Sequence, residues 1–236
     1  MIEFEKKIAQ QTLSILKKKS WNTFSLEQVL KSVKVKKTNI KTKFDLLKLI
    51  SKYVDYLLIN KMKSLENSSP KDMLFEVLMA RFDILEENRK AFLEIYKVLK
   101  KNPQQLIKLL PTFLESMIIT AELSSYKVNG LKGAIRLKGL MMVYFATFFQ
   151  WLEDKTTSLE RTMTQLDKNL DQAEKFGKLV STNLNTNSSI RNSKSNVVTS
   201  DGVLAEKSCH SSFNLVASVP CNINLILAES PSEDLD

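Results

Sequence analysis

Residues 25–44, SLEQVLKSVKVKKTNIKTKF, decide how this chain is read. Ser25 and Gln28 have the three-residue spacing of a capping box, in which side chain and backbone satisfy each other at a helix start. Leu26, Val29, Leu30 and Val33 then recur at intervals of three and four, the apolar face of a short helix. Residues 34–36 read as a turn, and residues 37–44 predict a second short helix. Upstream, Ile8, Leu13, Ile15 and Leu16 form an apolar stripe that ends in Lys17, Lys18 and Lys19. Downstream, residues 45–63 predict a longer helix burying Leu46, Leu49, Ile50, Tyr53, Val54 and Leu57.

The periodicity persists beyond this head. Ser69 and Pro70 supply a helix cap and a first-turn proline, and Met73, Leu74, Val77, Leu78, Arg81, Phe82 and Leu85 follow at helical spacing. Further helices are predicted over residues 88–101, 103–123 (with Pro111 inside), 131–152 and 157–180, and residues 124–130 form a loop. No stretch with convincing period-two alternation interrupts them, so the expected fold class is all-α: a three-helix head over residues 1–65 and a helical bundle over 69–180. Residues 181–236, with 12 Ser and 8 Asn, lose the helical period and are expected to be a disordered tail.

Charge is distributed unevenly. The chain carries +9 overall, yet residues 1–63 hold 15 Lys against 5 acidic side chains, leaving the remainder close to neutral. Such a surplus points to a polyanion, either nucleic acid or an acidic membrane surface. The most apolar run, 140–152, is too short to span a bilayer, and the first residues lack the apolar centre of a signal peptide, so a cytoplasmic location is expected. Cys209, His210 and Cys221 are the only Cys and His residues. Residues 1–180 therefore offer no thiol or imidazole nucleophile, no histidine base and no Cys/His metal site. Neither a cofactor nor a metal is expected.

In a helix-turn-helix the second helix of the pair enters the major groove while neighbouring groups hold the phosphates. Lys34, Lys36, Lys37, Lys41 and Lys43 would neutralise phosphates; Thr38 and Asn39 would reach base edges. Thr23 and Ser25 would hydrogen-bond a phosphate at the entry of the preceding helix. The stretch 8–55 resembles the N-terminal domain of the TetR (tetracycline-repressor) regulators. The resemblance rests on the aliphatic first helix, Trp21 and Phe24 after it, Ser25-Leu26 opening the second helix, and Ile40, Phe44, Leu46 and Leu47 at the end. It implies a homodimeric repressor whose heads bind a palindromic operator in duplex DNA. Lys34 stands where that family has its turn glycine, Lys36 at the cap of the recognition helix, and Lys41 at a backbone-touching tyrosine.

The resemblance further implies a body that admits an apolar small molecule or lipid and dimerises through its last two long helices. Leu137, Leu140, Met141, Tyr144, Phe145, Phe148, Phe149, Trp151 and Leu152 cover more than one face of a helix, which requires burial around most of its circumference. Gly133 and Gly139 would allow close backbone approach. Phe75, Met79, Phe82, Phe113, Met117, Tyr144 and Phe148 are the candidate ligand residues, since aromatic and Met side chains line adaptable apolar pockets. Arg81 and Asp83 read as a surface ion pair. With no paired carboxylates in an apolar setting, no phosphate loop and no serine triad, enzyme activity is not expected.

Residues Leu137, Gly139, Leu140, Val143, Tyr144, Ala146, Thr147, Trp151, Leu152 and Asp154, with Thr162, Leu166 and Asp167, are similar to the C-terminal part of the ubiquinone-biosynthesis lipid-binding proteins, which share the TetR fold. That similarity implies an alternative: a lipid-binding auxiliary protein whose basic head touches anionic membrane. A purely structural interaction module is a third reading.

Overall fold

The computed structural model describes residues 1–35, 38–63 and 69–193, with side chains described as far as residue 177. Among these residues the chain is all-α. Eight helices follow one another: α1 (Glu3–Leu16), α2 (Leu26–Val33), α3 (Lys43–Met62), α4 (Pro70–Glu87), α5 (Arg89–Lys101), α6 (Pro103–Leu123), α7 (Gly130–Glu153) and α8 (Glu160–Ser193), with a 3-10 turn at Trp21–Thr23. Met1–Thr182 forms one compact unit.

Local chemistry sets the helix ends. The Ser25 hydroxyl accepts from the Gln28 N–H and the Gln28 side chain accepts from the Ser25 N–H, which starts α2 as its spacing predicts. Lys34 ends α2 in the left-handed region, at φ 57° and ψ 34°, and the Val35 N–H reaches back to the Leu30 carbonyl. That is the bonding of a Schellman ending, with a lysine where glycine is the usual choice. Ser69 caps α4 through the Asp72 N–H, and Pro70 occupies the first turn.

The helix predicted over residues 37–44 is not where the spacing put it. Residues 38–42 are not helical, and α3 begins at Lys43. Thr42 and Asp45 are the physical reason. Thr42 accepts from the Asp45 N–H, and the Asp45 carboxylate accepts from the Thr42 hydroxyl and from the N–H groups of Lys41 and Thr42. Burial works against the Asp45 carboxylate, but those hydrogen bonds outweigh it and hold its pKa below the usual range. Residues 181–193, expected to belong to the tail, instead continue α8, while 194–236 lie outside the described residues.

Two apolar clusters share α3. In the first, Ile8, Leu13 and Leu16 of α1, Trp21, Phe24 and Val29 meet Leu46, Leu49, Ile50 and Tyr53 from the first half of α3. Ala91, Ile95 and Leu99 of α5 and Leu109 of α6 complete it, so the head's core borrows helices from the body. In the second, Val54, Leu58 and Met62 from the other half of α3 meet α4, α6, α7 and α8 around Phe82, Met117, Tyr144, Trp151 and Leu166. One continuous helix therefore enters both cores.

The corner between α7 and α8 gives several of the motif residues after Val143 a structural task. Arg89 donates to the carbonyls of Trp151 and Leu152, satisfying the end of α7, and its guanidinium lies 4.7 Å from the Trp151 ring centroid. The Trp151 indole N–H donates to Glu86 at 2.9 Å. Asp154 accepts from the backbone and hydroxyl groups of both Thr156 and Thr162, and Asn169 donates to Thr147 across the helix pair. Among the described residues, no helix is long and apolar enough to cross a membrane.

Candidate functional site

The residues expected to contact phosphates and bases separate into four groups. Lys34, Asn39 and Lys41 are exposed around the connection between α2 and α3, and Thr38 is half-buried there, its hydroxyl accepting from the Ile40 N–H. Lys36 and Lys37 lie outside the described residues. Thr23 and Ser25 are exposed, but Thr23 donates to the Ser20 carbonyl and Ser25 serves as the α2 cap.

Lys43 is turned inward. Its ammonium donates to the carbonyls of Trp21 and Phe24 and lies 4.3 Å from the Phe24 ring centroid and 5.2 Å from that of Trp21. Burial lowers its pKa. This lysine fastens the start of α3 to the turn before α2, and two of its three donors are committed to protein carbonyls rather than to phosphate.

The seven candidate ligand residues come together. Phe82, Met117 and Tyr144 are buried in the second cluster, and Phe75, Met79, Phe113 and Phe148 pack against it. Tyr144 is the hub. Its ring stacks on Phe82 at 5.5 Å between centroids and on Phe148 at 6.2 Å, and Phe113 tilts against it at 6.5 Å.

A polar centre missed by the sequence sits directly on this cluster. Arg81, expected beside Asp83 on the surface, is 2% exposed and pairs instead with Asp55 of α3 at 2.8 Å. Its guanidinium also donates to the Ser116 hydroxyl and, at 3.3 Å, to that of Thr120, both on α6; Ser116 in turn donates to Asp55. Asp83 is half-exposed and bonds Lys61. Residues two apart point to nearly opposite sides of a helix, so Arg81 and Asp83 could not have met. The Arg81 guanidinium carbon lies 5.7 Å from the Tyr144 ring centroid. Burial pushes the Tyr144 hydroxyl up, against the opposing charge and hydrogen bond of Arg81, so the phenol keeps its proton near neutrality.

The outer face of α7 remains apolar. Leu131, Ile135, Met142 and Phe149 are exposed at spacings of four, seven and seven, and Met163 of α8 is exposed as well. Gly133 is needed where it stands, because a Cβ there would fall on the Val128 carbonyl; at Gly139 a Cβ would meet nothing. No model of a known protein family matches the chain, and no curated protein matches it.

Proposed function

We propose that this chain is a ligand-controlled, DNA-binding transcriptional regulator of TetR-like construction, acting as a homodimeric repressor. The observation that carries the reading is α3, which packs its first half into the lysine-rich head and its second half into the aromatic body. An apolar ligand that moves the body helices then shifts the heads. A dimer must hold two half-sites about 34–36 Å apart, so a small change in head separation breaks simultaneous contact. The exposed apolar side chains Leu131, Ile135, Met142 and Phe149 on α7, with Met163 on α8, support dimerisation through α7 and α8, since apolar surface favours burial against a second surface.

The second reading, a lipid-binding auxiliary protein that touches anionic membrane, is favoured by one observation: residues 38–42 form no helix, and Lys43 faces inward. The two readings part when the full chain is titrated with fluorescent duplexes from its gene's own upstream region, beside anionic vesicles. Saturable, sequence-selective duplex binding is the expected result. Vesicle binding together with duplex binding that shows no sequence preference would replace the regulator with the lipid-binding protein.

A further inference from the structure

The charge balance of the buried centre restricts what the body can accept. An arginine has five N–H donors. In Arg81, Nη2 serves Asp55 and Ser116 and Nη1 serves Thr120, while Nε is buried and has no hydrogen-bond partner. A buried donor left unsatisfied is a standing cost, recovered by any acceptor that reaches it. The guanidinium also lies against Tyr144 and hydrogen-bonds its hydroxyl oxygen, leaving the phenol proton to donate elsewhere; the Tyr144 ring is in contact with Phe82, Phe113 and Phe148. Free donor and aromatic cluster therefore adjoin.

We infer that the Arg81–Tyr144 centre is the polar anchor of the body's ligand, and that it selects a flat apolar molecule bearing a neutral carbonyl oxygen over a carboxylate or a plain hydrocarbon. This deepens the proposed function, resting on its ligand-binding body but not on DNA binding. Asp55 already neutralises Arg81 at 2.8 Å, so a carboxylate would bring one net negative charge into a buried site. A neutral carbonyl brings none, and it can accept from the unpartnered Nε–H while the Tyr144 phenol supplies a second donor. A hydrocarbon of the same shape fills the space but leaves the N–H unsatisfied. Met79 and Met117, both in this cluster, give the side chains that must move to admit a ligand their adaptability.

Three probes of one shape separate these cases: 2-acetylnaphthalene, 2-naphthoate and 2-ethylnaphthalene, each displacing the neutral dye N-phenyl-1-naphthylamine from the full chain. The expected order places the ketone about tenfold tighter than the hydrocarbon, with the carboxylate weakest. Tyr144→Phe, which keeps the ring, should lower ketone affinity severalfold and leave the hydrocarbon unchanged. Arg81→Lys, which keeps the charge but removes Nε, should narrow the ketone's advantage over the hydrocarbon to the severalfold that the Tyr144 donor supplies. Should Arg81→Lys not fold, Tyr144→Phe and the wild-type order decide. Equal ketone and hydrocarbon binding, a preference for the carboxylate, or a ketone preference untouched by Tyr144→Phe overturns the inference. Dye binding without the predicted order removes the anchor and leaves the ligand-binding body standing; failure of dye and probes alike removes both. Because the titration contains no DNA, its result does not depend on the head.

Discussion

Replacing Arg81 with methionine keeps most of the side chain's length and deletes its charge, leaving Asp55 without its cation. Both side chains are deeply buried, at 2% and 7% exposure, and Asp55 would still accept from the Ser116 hydroxyl, a neutral donor. Breaking a buried pair on one side costs about 3–5 kcal/mol, because the surviving charge can neither reach water nor neutralise itself cheaply. Replacing both, as Asp55→Leu with Arg81→Met, removes the stranded charge and returns apolar volume to the core. Ser116 then loses the side chains on both sides of it, a penalty of about 1–3 kcal/mol, so the double variant should be more stable than Arg81→Met alone. Urea unfolding of wild type, both single variants and the double variant closes the thermodynamic cycle. A single-variant loss below about 1 kcal/mol, or a double-variant loss equal to the sum of the singles, would refute the assignment of this pair as a buried, mutually dependent unit.

Other consequences follow from particular contacts. Gly133→Ala should destabilise by about 1–3 kcal/mol as its methyl group displaces the Val128 carbonyl, whereas Gly139→Ala should stabilise by about 1 kcal/mol; thermal unfolding compares them. At Asp154 burial opposes the charged form, but hydrogen bonds from Thr156 and Thr162 outweigh it and hold the folded pKa far below the ordinary 3.8. A depressed folded pKa gives stability that is present above the unfolded value and lost as pH falls below it. Unfolding followed from pH 6 to pH 2, about the range bracketing that value, should therefore show a loss on acidification that Asp154→Asn reduces. Lys43→Ala should destabilise the head by about 1–3 kcal/mol by removing both carbonyl bonds, while Lys41→Ala should leave stability within about 0.5 kcal/mol, as chemical denaturation of each will show.

Much of the helical framework is written in short-range signals. Ser25 with Gln28 and Ser69 with Pro70 mark helix starts by chemistry confined to one turn, and the spacing of Leu46, Ile50 and Val54 marks the buried side of α3. The start of α3 was also legible, in the three-residue spacing of Thr42 and Asp45, but the short helix expected across residues 37–44 overlooks that capping pair. Gathering Phe75, Met79, Phe82, Phe113, Met117, Tyr144 and Phe148 into one cluster needed only their residue types and helical faces. The Asp55–Arg81 pair was not legible. Its members are 26 residues apart on different helices, and Asp83 offered a nearer partner that helix geometry forbids. The extension of α8 to Ser193 was missed because a Ser- and Asn-rich composition reports poor burial, not the point at which backbone hydrogen bonding stops.

The regulator reading stands or falls on whether the lysines between α2 and α3 hold DNA phosphates. Duplex affinity across a salt series tests this most directly, for the wild type and for a variant with Lys36, Lys37 and Lys41 all replaced by alanine. Affinity in the wild type should fall steeply with salt, and the variant's logarithmic slope should be shallower by about 3, near one for each phosphate no longer neutralised. An unchanged slope in the variant would contradict the reading, placing the phosphate contacts elsewhere on the chain.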